Sequence, residues 1–567
     1  SNRARQISDT SLNYGETVRG YRMSDWNWFV ADDWKLTPKL TLNLGIRHEV
    51  FGFPSEVNGL LVSFDYPAAL VTGRIQDGFV FASNFKESSV PGAAGLGLKK
   101  ADSKSIISND YNNFMPRFGF AWSPFAATKA VVRGGYGIFF ERVTGAFANS
   151  LRQSPPFFRE LQLNNLGDWN IYPNDIGSLP IPDMRIGFDD GEPILVTALD
   201  PDNEFEALET QMIPRSLATP YTQQWTLSTQ FEFMRDWLLE LGYVGTKGTK
   251  LLEAVNANQA LDIDSVGFLP RAGVPGGGFI GNYFAIEDDE FINTRTPSCD
   301  ILDDPGDCTI AGELRGRLLG LDEDEGANML TASGNSIYHS LQAGISKRYG
   351  NNVMFNLNYT FSRSIDTYSD EGKFQVEHDQ TRPHLNRGLS DFHRKHRLML
   401  SWTWDLPFKG NRFVSDWQIS GVGTFQSGRP FSIVDDDFSG FLFESTAPRP
   451  NLAPGSSHSD LVTPGAVRSR IDGYLNRAAL ASSGAQFGNL GRNVVTGPGQ
   501  GRVDISLSKQ ILRSESASLN FRAEAYNVSN TPSFRNPDRD MSNASFGAIT
   551  RTRGGPRVIQ LALKLLF

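Results

Sequence analysis

The chain has 567 residues and a formal net charge of −9, with 40% hydrophobic and 11% aromatic residues, 55 Gly, 30 Pro and 2 Cys. This composition excludes a disordered chain, a collagen and a disulfide-stapled mini-domain, and the excess of acids over bases argues against nucleic acid as a partner. No apolar run reaches the roughly 18 residues of a transmembrane helix, and residues 1–24 form a lead-in without the apolar stretch of a signal peptide.

From residue 25 to 567 the dominant signal is alternation with period two, which puts one residue set on each face of a strand. Trp26, Trp28, Val30 and Trp34 mark the first such segment. In the second, Leu40, Leu42, Leu44, Ile46, His48 and Val50 alternate with Thr41, Asn43, Gly45, Arg47 and Glu49. Phe118, Phe120 and Trp122 then face away from Arg117, Gly119 and Ala121. Trp225, Leu227, Phe231 and Phe233 face away from Gln224, Thr226, Ser228, Gln230 and Glu232. The pattern returns in Val353 to Phe361, in Leu398 to Leu406 and in Leu519 to Ala525, and the chain closes on Ile559, Leu561, Leu563, Leu565 and Phe567. Five apolar residues in a row on one face arise by chance about 1% of the time at this composition, so the repetition is a design feature.

The alternating segments amount to about 13 strands of roughly 9 to 12 residues, the length of tilted transmembrane strands rather than of soluble sheets. Short links lie at Lys35 to Lys39, Pro124 to Lys129, Met234 to Asp236, Gly350 to Asn352, Pro407 to Asp416 and Leu512 to Ser516. Long polar segments lie between them, at Gly52 to Asn113, Arg142 to Pro220, Lys247 to Ile337, Ser364 to Arg394 and Gly428 to Gly501. Strict alternation of short and long links is expected of an all-β transmembrane antiparallel outer-membrane β-barrel, with short periplasmic turns and long extracellular loops. A soluble all-β binding protein is the competing reading. An odd strand count leaves two edges that lipid does not tolerate, so the chain is expected to be the C-terminal part of a larger barrel.

Several ordered blocks carry a resemblance to a family. FVADDWKLTPKLTLNLGIRHE, PRFGFAWSPF, KAVVRGGYGIFFER, LELGYVGTKGTKL, YHSLQAGISKRYG, NLNYTFSRSID, RGLSDFHRKHRLMLSWTWDLPF, GTFQSGRPFS, FGNLGRNVVTGPG, LNFRAEAYNVSNTPSFRNP and FGAITRTRGGPRVIQLALKLLF span nearly the whole chain. Together they resemble the barrel of Oar-like TonB-dependent receptors. The resemblance implies a 22-stranded barrel, preceded by a carboxypeptidase-regulatory-like domain and a plug that engages the TonB system, neither of which this sequence contains. It also implies an outer-membrane receptor or transporter whose extracellular loops capture an unknown ligand and pass it through the lumen. Phe567, an aromatic C-terminal residue on an alternating strand, resembles the signal read by the barrel assembly machinery. Outer-membrane lipid and lipopolysaccharide are the remaining expected partners. The alternative function is a surface-display or adhesion barrel without transport.

Cys299 and Cys308 flank DILDDPGD in a long loop and are expected to form a disulfide, the alternative being a free or metal-binding pair. His378, His384, His393 and His396 cluster near Glu377, Asp379 and Asp391. The cations Arg387, Arg394, Lys395 and Arg397 crowd the same segment, so a structural role is expected there rather than a metal site. Acidic clusters at Glu287 to Glu290, Asp303 to Asp307, Asp322 to Glu325 and Asp435 to Asp437 read as solvated loops, with Ca²⁺ binding as the alternative. The run Gly276 to Gly281 matches GxGxxG without the strand and helix a dinucleotide site needs. No nucleophile and base signature is present, so no enzymatic activity and no cofactor are expected. Arg47, Glu49, Arg117, Arg133, Gln224, Glu232, Arg522, Glu524 and Lys564 are the expected lumen lining. Trp26, Trp34, Trp122, Trp225, Trp237, Trp402, Trp404 and Trp417 are the expected interfacial aromatics.

Overall fold

A computed structural model describes residues 10–15, 19–72, 75–86, 98–124, 130–143, 158–163, 187–189, 192–194, 210–257, 283–287, 290–294, 327–369, 382–411, 413–435, 448–483, 487–513 and 517–567. Its backbone is dominated by one antiparallel sheet whose main path runs through 13 strands in chain order. They are β1 (Trp26–Thr37), β2 (Leu40–Val50), β3 (Phe114–Trp122), β4 (Ala130–Phe140), β5 (Tyr221–Met234), β6 (Trp237–Asn256) and β7 (Ala327–Gly350). The path continues with β8 (Val353–Asp366), β9 (His396–Asp405), β10 (Trp417–Gln426), β11 (Gln500–Arg513), β12 (Ser518–Tyr526) and β13 (Val558–Leu566). Each strand pairs with its predecessor and successor, so the sheet is a meander whose short turns all fall at one end.

The short turns have a local cause. Asn351 and Asn352 both adopt positive φ, +52° and +66°, the left-handed pair that a two-residue hairpin with the sheet's own twist requires. Asp236 does the same at φ +68° between β5 and β6. Asn and Asp tolerate this region because their short side chains bond locally to the backbone.

The apolar residue set of every strand lies on one face and remains exposed. Leu227, Phe231, Leu241, Leu341, Phe361, Phe425, Leu561 and Leu563 are among its large exposed side chains. An apolar face of this extent is a lipid surface, not a solvent surface. It is sealed by an interlocking of aromatics and glycines across neighbouring strands. Trp225 stands opposite Gly245, Phe120 opposite Gly134 and Trp402 opposite Gly421. In each pair the ring occupies the place where a glycine Cβ would stand, within 2.2, 2.3 and 2.4 Å respectively. Trp34, Trp122, Trp237, Trp404 and Trp417 lie toward the short turns, whereas Trp26 and Trp225 sit toward the long connections. Trp225 and Phe233 are eight residues apart on β5. At a tilt of about 40° that separation spans about 21 Å, close to the height of an outer-membrane apolar band.

The buried core lies in the long connections, not in the sheet. Leu61, Val80, Ala82, Ile106, Ile107, Ile213 and Leu217 pack together beyond the ends of β2 to β5. Glu56, 1% exposed, ties that assembly by accepting from the backbone amides of Asn58 at 2.7 Å and Leu60 at 2.9 Å. A second core joins Phe431, Ile433, Leu461, Leu475, Leu480, Leu490, Val495, Met541 and Ile549 from the connections 427–499 and 527–557. The lead-in residues Tyr21–Arg22 pair with Ser55–Glu56 of the first assembly.

Two expectations need correction. Lys247 to Ile337 is not loop throughout: β6 and β7 are 20 and 24 residues long and stay paired from Trp237 and Lys347 out to Asn256 and Asn328. Two register shifts between Thr249 and Glu253 interrupt the ladder. The buried Glu253 carboxylate stabilises the extension by accepting from Ser333 Oγ at 2.5 Å and Thr367 Oγ1 at 3.1 Å. The strand lengths therefore exceed the 12 residues expected. Among the described residues β1 pairs only with β2 and β13 only with β12, and every residue of both strands is exposed.

Candidate functional site

The face opposite the apolar one carries the polar residue set of the sheet, and its charges are organised. Arg47 Nε donates to Glu49 at 2.6 Å on β2, Arg502 Nε to Asp504 at 2.8 Å on β11, and Arg522 lies 3.7 Å from Glu524 on β12. Two residues along a strand is one step on the same face, so these ion pairs follow directly from the pleat. Arg133 donates to Gln230 across strands at 2.9 Å, and the Arg117 guanidinium lies over the Phe139 ring at 4.8 Å. The structure thus places the expected lining residues Arg47, Glu49, Arg117, Arg133, Arg522 and Glu524 on one polar face, and Gln224 and Lys564 fall on it by register.

At the long-connection end two arginine arrangements differ sharply. The first is neutralised. Arg492, whose side chain is 12% exposed, pairs with Asp366 at the end of β8 and lies 3.2 Å from Asp391. Its Nε donates to Asn386 O at 2.9 Å and its Nη2 to Asp366 O at 3.1 Å. This one guanidinium clamps the end of β8, the segment 383–391 and the segment 487–495 together. Gly388 permits the approach, since a Cβ there would meet Arg492 O at 2.3 Å.

The second is not neutralised. Arg394 and Arg397 flank the start of β9, Arg429 follows β10 and Arg553 precedes β13. Burial, reinforced by the charges of Arg429, Arg553 and Arg397, lowers the Arg394 pKa to about 10. Its Nη1 donates to Ser427 O at 2.5 Å. Among the described residues no carboxylate lies within ion-pair distance of any of the four.

The expected histidine cluster separates into single roles. His393 is buried, and its Nδ1 accepts from the backbone amide of Ser364 at 3.2 Å. Burial and the nearby Arg363, Lys395 and Arg394 hold its pKa below the ordinary value. His396 sits on the apolar face, its Nδ1 2.8 Å from the Tyr359 hydroxyl. His384 lies in the turn Pro383–Asn386. His378, Glu377 and Asp379 lie outside the described residues, as do Cys299, Cys308, the run Gly276 to Gly281 and the acidic residues of 303–307 and 322–325. Asp435 is buried, 3% exposed, and accepts from Ser482 Oγ at 2.7 Å, so it is not a solvated residue. Phe567 follows β13 at the short-turn end, fully exposed.

The sequence pattern misses Arg492, Arg429 and Arg553. Each stands in a loop without periodicity, and the charged groups its side chain faces are 35 to more than 100 residues away, so no local spacing signals the arrangement.

With an apolar outer face, a polar inner face and long connections gathered at one end, the chain matches the family described as outer membrane beta barrel domain over residues 6–560. It belongs to that family. This barrel domain accordingly resides in the bacterial outer membrane. Among solved structures it is similar to the outer membrane transporter YddB from Escherichia coli, with 10% identity and a TM-score of 0.44 over 95% of this chain and 45% of that one. It is also similar to the ferric citrate transporter FecA in its unliganded form, with 10% identity and a TM-score of 0.36 over 97% and 46%. A third is the siderophore receptor PiuA from Acinetobacter baumannii, with 10% identity and a TM-score of 0.36 over 96% and 43%. The barrel domain spans less than half the length of these three chains. No curated protein matches it.

Proposed function

We propose that the chain forms the strand-rich part of an Oar-like, TonB-dependent receptor. Its outer connections capture a ligand, its polar inner face conducts that ligand, and energy arrives through a plug that belongs to the complete protein. The observation that carries the reading is the inner face itself: ion pairs and amides line it from β2 to β12, which is the lining of an aqueous path. Transport of this kind makes and breaks no covalent bond in the ligand, so the reading includes no enzymatic step. On this reading further strands would meet the edges that β1 and β13 leave unpaired among the described residues, bringing the count to the even number of a closed bacterial barrel. The Oar-like assignment itself is supported by the ordered sequence blocks.

A second reading, surface display, draws on the packed cores of the outer connections, which give them the stability of an exposed binding module. The complete reading frame expressed in a Gram-negative host separates the two. The transport reading expects a heat-modifiable outer-membrane band, and uptake of at least one iron, peptide or oligosaccharide source that is lost on deletion of either the receptor or TonB. Uptake of every source unaffected by receptor deletion, with loss of surface attachment instead, would replace transport by display.

A further inference from the structure

Four arginines that meet no carboxylate among the described residues stand out against the neutralised inner face. On β2, β11 and β12, Arg47, Arg502 and Arg522 each have an acid one step along the same face. At the corresponding steps from Arg397 stand Lys395 and Met399 instead. Arg397 itself belongs to the polar set, alternating with the outward Leu398 and Leu400, and lies in register with Thr360 on β8 and Gln426 on β10. Gln426 donates to Gln500 at 2.8 Å, so the row continues as neutral amides across β11.

Backbone contacts draw the other three to the same place. Ser427 N donates to His396 O at 2.9 Å, and Arg394 reaches back to Ser427 O, so the segment after β10 rests on the start of β9. Gly497 N donates to Arg429 O at 2.9 Å. Gly497 in turn is pressed against Asn536, whose Oδ1 is 2.2 Å from where a Cβ would stand. The segment 533–535 pairs with 551–553, with Arg553 N donating to Ser533 O at 2.6 Å and Arg535 N to Arg551 O at 3.1 Å. Segments far apart in sequence thus form one shelf that brings Arg397, Arg429 and Arg553 to Arg394.

We propose that this shelf binds the oxyanion groups, carboxylate or phosphate, of a solute entering from the long-connection end. The inference rests on the transport reading and names the chemical class of its ligand. A guanidinium presents a planar fork matched to a carboxylate or phosphate, and four such forks that meet no carboxylate among the described residues leave that capacity open. Clustered like charges also raise the local concentration of an incoming anion. Luminal placement of Arg397 favours a soluble anion over a lipid headgroup, because the lipid-facing positions of β9 are His396, Leu398 and Leu400.

The test uses the complete protein purified in detergent, titrated with citrate and with tripolyphosphate by calorimetry. The double variant Arg429→Gln/Arg553→Gln is expected to bind both probes at least tenfold more weakly than wild type, and Arg429→Lys/Arg553→Lys to fall between. Arg235→Gln, at an exposed turn of the opposite end, is the control for loss of an arginine elsewhere and is expected to bind as wild type does. Heat modifiability of each variant verifies that the sheet is assembled. Equal affinity of wild type and the Gln double variant overturns the proposal. Capture of lipid A vesicles without binding of either soluble probe overturns it in favour of a headgroup site. Oxyanion binding that persists while receptor deletion leaves all uptake intact would uphold the site and refute the transport reading instead.

Discussion

Replacing Arg492 by Ala should open the outer connections without disturbing the membrane sheet. The Asp366 side chain is only 5% exposed, and in the native structure its charge is met by Arg492. Removing the guanidinium leaves that carboxylate buried and unpaired, together with the carbonyls of Asp366 and Asn386 that now accept at 3.1 and 2.9 Å. Breaking one side of a buried ion pair costs about 3 to 5 kcal/mol. At about 1.4 kcal/mol per factor of ten, the opening equilibrium of segments 383–391 and 487–495 should rise by roughly 10² to 10³ or more. Amide hydrogen exchange on the protein in detergent reads this directly, and heat modifiability reports the sheet. Arg492→Lys keeps the charge but loses the fork that spans two segments, so it should show a smaller rise. The double variant Arg492→Leu/Asp366→Leu should recover much of the protection, because no charge is then stranded. Exchange in both segments within twofold of wild type for Arg492→Ala would refute the reasoning.

Other outcomes follow from single sites. His393 accepts a hydrogen bond at Nδ1 and has a depressed pKa, so the opened state binds more protons. Its stabilisation is fully present above the ordinary value of 6.5 and is lost as pH falls from there toward the depressed value. Proteolysis of the outer connections should accelerate between pH 7.5 and 5.5 in wild type, and His393→Gln should flatten that dependence. Gly245→Val drives a side chain into the Trp225 ring and should cost about 1 to 3 kcal/mol, seen as a smaller heat-modifiable fraction. Trp225→Ala in the same chain should restore part of it, and no restoration would deny the cross-strand packing. Asn352→Val forces a β-branched residue to φ +66° and should cost about 1 to 3 kcal/mol, visible as slower appearance of the folded band, whereas Asn352→Gly should fold as wild type.

Much of the fold is legible in the residues because a pleated strand with one face in lipid and one in water leaves its period in the chain. Leu40 to Val50 and Leu519 to Ala525 lie in strands at the expected positions, and Asn351 and Asn352 mark their turn by residue type. The outward extension of β6 and β7 was less legible. Beyond the membrane both faces meet water or loop, so Thr249, Glu253, Thr331 and Asn335 read as polar loop while they pair as strand. Of the candidate site, the polar lining was readable by parity alone, and the clustered histidines were not resolvable, since His393 and His396 fall on opposite sides of the place where β9 begins.

The sequence by itself determined the alternation, the number of strands along the main path, the end at which the short turns lie and the outer-membrane β-barrel class. These are local properties, set by side-chain parity and turn chemistry over a dozen residues. Only the tertiary structure decided which arginines are neutralised and which are not. Arg492 meets Asp366 across 126 positions, and Arg394 meets Arg429 and Arg553 across long connections that carry no periodic signal. Charge pairing over such separations is fixed by the register of the whole sheet, because each strand end delivers its loop to one neighbour and not another.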